Sequence, residues 1–377
     1  MKIVYCINRL LFIGGTEMVT LFKANALARK KKNSVWIIFT EEKGPMTFDY
    51  SPFVQFLDLE IRYSNNTWHF PWNLARIGFK RFLHKRRLSR ALFHIHPDIV
   101  ISTGFDEFRL LPRIKGPWKT IRELHSTKHF KYLSAKTFRD RLIAKIGEWI
   151  DYERTIMQYD HIVVLTQEEK SLHWSDWKNV SVIPNPVRFR PDQPSPLSAK
   201  RIIAVGRLSY EKNYSSLIRA FALVHPRFPD WSLVIFGTGA ERDRLLLEIE
   251  RQNISKCVHL LGAATNVMKE MLSSSLLVCS SLYEGFSLAL LEAQSCGLPV
   301  ISYDCPCGPK DLISDGNNGF LVPLGDESTL ADRISQILGS TSLRQRMGAL
   351  AWEKSKAFDI SVISNQWIDL FEMLITT

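Results

Sequence analysis

The sequence predicts an α/β protein of two Rossmann-like, doubly wound parallel-sheet domains that face each other across a cleft. Three observations carry this. Short apolar segments of strand length alternate with longer stretches of helical periodicity. The alternation runs twice, once in each half, with a proline-rich stretch between. At 377 residues the chain also exceeds the size at which one hydrophobic core stops growing, so two domains of ordinary size are expected.

In the first half, Lys2 to Cys6 is an apolar strand broken by Gly14 and Gly15. Glu17 to Ala28 then has helical spacing through Met18, Leu21, Phe22 and Leu27. Ser34 to Phe39, Asp98 to Ser102, Lys119 to Glu123 and His161 to Leu165 are further strands. The second half repeats the rhythm. Strands are expected at Arg201 to Val205, Ser232 to Phe236, Val258 to Leu261, Leu276 to Cys279 and Pro299 to Ser302. Helices are expected at Ser215 to Val224, Glu241 to Arg251, Asn266 to Leu272 and Ser287 to Cys296. Between the halves, Pro186, Pro191, Pro194 and Pro196 mark linker chemistry. The expected domains are 1–183, a linker 184–198, 199–355, and a helix within 356–377 that packs back on the first domain.

A hydrophobic content of 45% suits a soluble globular chain. The longest apolar runs, such as Ile202 to Val205 and Leu288 to Leu291, fall far short of the roughly 18 residues of a membrane span. Lys2, Asn8 and Arg9 interrupt the start, so no secretory signal is expected. The expected location is cytoplasmic or peripheral on the inner face of the cell membrane. Cys6, Cys257, Cys279, Cys296, Cys305 and Cys307 sit mostly in apolar segments, consistent with a reducing compartment. The Cys305-Pro306-Cys307 spacing is too tight for the usual zinc pattern, and no metal site is expected. Net charge is +11, and its distribution is uneven. Residues 1–183 hold about 30 Lys and Arg against about 18 Asp and Glu, the rest about 19 against about 20. A polyanionic partner is expected for the first half: a membrane surface, a lipid pyrophosphate or nucleic acid.

The strongest constellation is Glu284-Gly-Phe-Ser-Leu-Ala-Leu-Leu-Glu292, where a strand turns into a helix. Gly285 lets backbone approach a ligand, and the amides of Phe286, Ser287 and Leu288 would meet an anion along the helix dipole. Glu284 and Glu292 flank this phosphate seat, placed to meet a sugar and a ribose. Val205-Gly206-Arg207 with Lys212 projects two cations from a strand's carboxyl end, where parallel sheets bind ligands. Two cations and a helix N-terminus suit a nucleotide diphosphate without a metal. Phe236-Gly237-Thr238-Gly239 ends the next strand at the same edge, its small residues leaving room for a base.

With Ala293-Gln-Ser-Cys-Gly297-Leu-Pro299-Val300 and Asp315-Gly316-Asn-Asn-Gly319-Phe-Leu-Val322, these motifs make the second half resemble glycosyltransferase family 4. The resemblance implies a nucleotide-sugar donor domain. Arg207 and Lys212 would hold the donor pyrophosphate, Glu292 the ribose and Glu284 the transferred sugar. It also implies retention of anomeric configuration, with no bound metal or other cofactor. In the first half the likeness rests on Gly14-Gly15-Thr16-Glu17, Asn185-Pro186 and His125. Gly15 would approach the donor diphosphate and acceptor. His125 would lie beside the sugar, with His129 in reserve.

Ile77 to Phe93 reads as a basic amphipathic helix carrying Lys80, Arg81, Lys85, Arg86, Arg87 and Arg90, preceded by Trp68, Phe70, Pro71 and Trp72. This pattern would grip an anionic leaflet or a polyprenyl pyrophosphate, or would simply pack its apolar side in the core. The expected activity is transfer of a hexose or N-acetylhexosamine, with UDP the expected carrier, to a growing polysaccharide or lipid-linked oligosaccharide. A stretch like Asp304-Cys-Pro-Cys-Gly-Pro309-Lys-Asp-Leu-Ile resembles transferases of bacterial lipid-linked glycan assembly. The alternatives are a nucleotide-sugar epimerase or phosphorylase of the same architecture, and a non-enzymatic membrane or nucleic-acid adaptor. Nucleic acid is not the expected partner.

Overall fold

The computed structural model describes residues 1–9, 14–30, 33–41, 51–63, 72–104, 106–135 and 137–376. The chain forms two compact units. One comprises Met1–Leu165, Leu172–Pro186 and Ile360–Thr377, the other Thr166–Ser171 and Val187–Asp359. The proline-rich residues from Val187 to Ser198 therefore belong to the second unit, and the C-terminal helix belongs to the first.

The first unit contains strands β1 (Lys2–Ile7), β2 (Ser34–Phe39), β3 (Val54–Asp58), β4 (Ile99–Ser102), β5 (Lys119–Glu123), β6 (His161–Val164) and β7 (Val180–Val182). They form one parallel sheet in the order β3-β2-β1-β4-β5-β6-β7, which reverses direction between β1 and β4. Its helices are α1 (Gly15–Arg29), α2 (Trp72–Ile95), α3 (Phe130–Ser134), α4 (Phe138–Ile150) and the C-terminal helix. Alternate side chains of β1 separate two cores, as strand geometry requires. Ile3, Tyr5 and Ile7 meet Leu27 of α1 and Trp367 and Phe371 of the C-terminal helix. Val4 and Cys6 meet Leu88 and Leu92 of α2 with Trp118 and Trp174.

A helix, α5 (Gln167–His173), spans residues assigned to both units. The second unit contains β8 (Arg201–Val205), β9 (Ser232–Phe236), β10 (Val258–Leu260), β11 (Leu276–Cys279), β12 (Val300–Tyr303) and β13 (Gly319–Val322). Its parallel sheet has the order β10-β9-β8-β11-β12-β13 and reverses between β8 and β11. Helices α6 (Tyr214–Val224), α7 (Arg242–Arg251), α8 (Val267–Leu272), α9 (Leu288–Ser295), α10 (Pro309–Leu312), α11 (Glu327–Gly339) and α12 (Thr341–Ser355) connect and cover it. The last helix of the chain, α13, runs Ile360–Thr376. All six cysteines are buried and none forms a disulfide.

One charged pair lies inside the first unit. Lys23 of α1 and Glu123 of β5 form a salt bridge with both side chains essentially inaccessible, and the Lys23 ammonium lies 4.7 Å from the Trp367 ring centroid. Burial raises the Glu123 pKa, but Lys23 foremost, then His125, outweigh it and hold the carboxyl at about 2. The folded-state value lies below the unfolded one, so the pair's stabilisation is present above the ordinary value near 4.5 and is lost as pH falls toward about 2.

Two outcomes are expected. Lys23→Met leaves a buried carboxylate unpaired and costs about 3–5 kcal/mol, measured by urea unfolding at pH 7. Its destabilisation relative to wild type shrinks as pH drops from 4.5 toward 2; a constant difference across that range contradicts the pairing. Trp367→Ala costs about 3–5 kcal/mol in the same assay, and a loss below about 1 kcal/mol would remove α13 from the core of the first unit.

Candidate functional site

In the second unit, the loops after β8 and β11 leave the sheet at its reversal, where the crevice of an open parallel sheet binds ligands. Gly206, Arg207 and Lys212 lie on the first loop, Glu284 through Ser287 on the second. The two loops are joined. Leu282 N donates to Glu211 O at 2.8 Å, Ser280 Oγ to Lys212 O at 2.8 Å, and Lys212 Nζ meets Glu284 Oε1 at 2.7 Å. Ser281 Oγ donates to the same carboxylate oxygen at 2.7 Å. Burial works against the Lys212 charge, but Glu284 first among its neighbours raises the ammonium's pKa above the ordinary lysine value. Lys212 is therefore a fixed cation over the whole physiological range.

Arg207 is differently placed. Its side chain is 77% exposed and reaches Glu211 Oε1 at 3.1 Å, so it is a surface cation tethered by one carboxylate. The sequence pointed to both cations but not to Glu211, Ser280 and Ser281, which hold them and Glu284 in place. Two serines directly after a strand were the available signal.

Gly237 and Gly239 are also held small by a packing constraint. A Cβ on Gly237 would fall on the carbonyl oxygen of Gly206, and one on Gly239 on that of Leu208. Gly206 N donates to Phe236 O at 3.0 Å and Leu208 N to Thr238 O at 2.9 Å. Their smallness lets the β9 loop lie against the β8 loop, and so fixes where Arg207 and Lys212 begin.

Helix α9 starts at Leu288 with Ser287 as N-cap, whose side chain makes no capping hydrogen bond. The amides of its first turn have no acceptor within the helix, as at any helix start. Gly308, on the loop after β12, backs onto this turn, its Cβ direction 3.5 Å from Ser287 N and 3.6 Å from Glu284 Cβ. Glu284 N donates to Pro306 O at 3.4 Å. Gly285, Phe286, Ser287 and Leu288 thus form a braced turn beside the Lys212 and Glu284 pair.

Glu292 lies in α9 one turn further on, 5% exposed, with Arg188 Nε 2.8 Å from its Oε1. Burial raises its pKa, and Arg188 offsets part of the rise. Arg188 was not singled out because it sits in the stretch that reads as linker. That stretch is packed: Ser295 Oγ donates to Phe189 O at 3.1 Å and Ser195 N to Cys296 O at 2.7 Å.

In the first unit, Gly14 and Gly15 follow β1 and begin α1, at that sheet's own reversal. His125 follows β5, one strand further along the same edge from β4. Its Nε2 is 3.2 Å from Glu123 Oε1, beside the buried Lys23 and Glu123 pair. His129 instead faces Glu148 Oε2 through Nδ1 at 3.2 Å.

Helix α2 divides its six predicted cations. Leu88, Ala91 and Leu92 pack in the core. Lys80 bonds to Arg62 O, and Arg87 to Leu59 O and Glu60 O, so these two hold the segment after β3. Arg81, Lys85, Arg86 and Arg90 are exposed beside Phe79 and Phe82. Trp68, Phe70 and Pro71 lie outside the described residues, as does the side chain of Trp72.

Comparison with known proteins bears on these residues. Residues 188–353 match the family model described as "Glycosyl transferases group 1". An exopolysaccharide phosphotransferase of Streptomyces coelicolor is 38% identical over 58% of this chain and 24% of its own length. An amylovoran biosynthesis glycosyltransferase of Erwinia amylovora is 30% identical over 56% of this chain and 62% of its own length. The chain thus matches less than two thirds of either relative. An uncharacterized glycosyltransferase of Haemophilus influenzae is 27% identical over 97% of this chain and 98% of its own. A crystal structure of S. aureus TarM, solved with fondaparinux, alpha-GlcNAc-glycerol and UDP, has a TM-score of 0.77 at 16% identity, covering 98% of this chain and 99% of its own. The fold is that of the GT-B glycosyltransferases, and residues 188–353, with Lys212, Glu284 and Glu292 among them, are similar to the glycosyl transferases group 1 model.

Proposed function

We propose that the protein is a retaining glycosyltransferase that moves a hexose or N-acetylhexosamine from a nucleoside diphosphate, UDP in the first instance, to a polysaccharide or lipid-linked oligosaccharide. The observation that carries this is the Lys212 to Glu284 contact of 2.7 Å at the sheet reversal, beside the first turn of α9 and inside the family match. The relatives support the donor class: the TarM structure contains UDP and alpha-GlcNAc-glycerol, and another relative is a poly(ribitol-phosphate) alpha-N-acetylglucosaminyltransferase of Staphylococcus aureus.

Cleavage of an anomeric carbon from diphosphate builds negative charge on the leaving oxygen and positive charge on the ring. Lys212, Arg207 and the amides of Phe286, Ser287 and Leu288 would stabilise the first. Glu284, with one oxygen already engaged by Lys212 and Ser281, would present its other oxygen to a sugar hydroxyl. Glu292, shielded beside Arg188, would receive the ribose. Gly206, Gly237 and Gly239 set the loop positions on which these contacts depend. Gly15 and His125 would serve the diphosphate, the sugar and the acceptor. Retention favours attack from the leaving-group face, with the departing phosphate helping to take the acceptor proton. The reading requires no metal or other cofactor. The exposed Lys85, Arg86 and Arg90 suit an anionic acceptor or leaflet.

Glu284→Gln and Lys212→Ala are each expected to lower the transfer rate by about 10²–10³-fold while the melting temperature changes little; rates equal to wild type would end the assignment. UDP-sugars are expected to raise the melting temperature in a screen of nucleoside diphosphate sugars. A larger shift with a GDP- or ADP-sugar would overturn the uracil reading but not the transferase reading.

A further inference from the structure

We infer that α4 docks the protein on an anionic lipid bilayer through its exposed apolar face. The helix is amphipathic but turned against the usual order. Thr137 caps it by accepting from Asp140 N at 3.1 Å. Its buried side carries Ala144 and Glu148, with Asp151 following. Glu148 Oε1 accepts from Tyr132 N at 3.1 Å, and Asp151 takes Arg109 Nε at 2.6 Å and Lys131 Nζ at 2.7 Å. Polar contacts therefore anchor the helix to its unit.

The apolar side faces outward. Phe138 is 85% exposed and Ile143 60% exposed, and Leu142, Ile146 and Trp149 are each more than half exposed. At about 100° per residue these five fall within an arc of about 140°. A surface helix ordinarily buries such a stripe, and an exposed continuous patch of this kind marks a contact with something apolar. Tyr132 and Leu133 of α3 and Met157 are exposed as well.

The charges choose the occupant. Arg139, Arg141 and Lys145 are exposed on the same helix, and the Arg154 guanidinium lies 4.8 Å from the Trp149 ring centroid. An aromatic ring with a cation over it, at the edge of an aliphatic stripe, matches the boundary between headgroups and acyl chains. Exposed carboxylates on Phe138–Ile150 and the following turn are Asp140, which the Thr137 hydroxyl engages, and Glu153. This surface lies on a different helix from α2, whose Leu88, Ala91 and Leu92 are in the core, and is independent of the donor-site reading.

The test is flotation of the full chain with vesicles of phosphatidylcholine containing phosphatidylglycerol. Wild type is expected to float, and Leu142→Ser/Ile143→Ser/Ile146→Ser to lose binding by about tenfold or more, with unchanged melting temperature and an unchanged thermal shift by UDP. Substituting Lys85, Arg86 and Arg90 with serine is expected to cost less than the apolar triple. Failure of wild type to float, or equal flotation of the α4 variant, overturns the inference. Light scattering supplies the other decisive outcome: a wild-type dimer that the α4 variant converts to monomer assigns the face to a second copy instead. Loss of the UDP shift in wild type would count against the donor reading alone.

Discussion

The close approach of two loop backbones is the constraint on which the second unit's site depends. At the reversal of its sheet, the β9 loop lies on the β8 loop so tightly that no side chain fits at Gly237. This leaves the Arg207 to Lys212 segment with a single available course, past the end of β11. Lys212 and Glu284 meet there at 2.7 Å, a contact that offsets part of the cost of sheltering an ammonium from water. Ser280 and Ser281 fix the partners from the β11 side, one through a backbone carbonyl and one through the carboxylate. The result is a cation held in one position by Glu284 and the β11 loop, with Arg207 exposed beside it.

The first unit uses the same topology with a different internal charge. There the buried pair is not at the sheet reversal but under it, with Lys23 from α1 reaching Glu123 near the end of β5. The ammonium lies against the aromatic ring of α13, an arrangement that compensates part of the lost hydration. His125 is two residues beyond Glu123 and close to the same carboxylate. The chain's last helix thus bears on the setting of a histidine at the sheet edge, through a lysine that never sees solvent. Ion pairs of this depth contribute little net stability, and their value lies in holding one geometry.

Most of this was legible where residue chemistry and element boundary coincide. Strands Arg201–Val205, Ser232–Phe236 and Leu276–Cys279 agree residue for residue with the sequence reading, because each is a continuous apolar run closed by glycine, serine or a charge. Strands Val54–Asp58, Val180–Val182 and Gly319–Val322 were not singled out. The first is an edge strand with one fully buried residue, and the other two are three and four residues long, too short for a period to register. The partners of predicted residues were harder than the residues themselves. Arg188 is invisible beside prolines, since the contact that buries it spans more than a hundred positions. Gly237 was seen, but for another reason, because sequence tells that space is needed and not what fills it.

The two surface helices of the first unit show why a basic amphipathic pattern alone is ambiguous. Both α2 and α4 carry cations and large apolar residues at helical spacing, and composition does not separate them. What separates them is which face the core accepts. In α2 the leucines satisfy the core, and what remains outside is charge with isolated phenylalanines. In α4 the inner positions are Ala144, Glu148 and the adjoining Asp151, already matched by His129, Arg109 and Lys131, so the aliphatic stripe has nowhere to go but out. The two faces act over different ranges. Exposed cations attract an anionic surface across a Debye length, about 8–10 Å at physiological salt, whereas an aliphatic stripe contributes only once water has been expelled. On the inferred docking, the surplus charge of the first half would bear on encounter and α4 on retention, so that added salt would slow arrival long before it released a chain already seated.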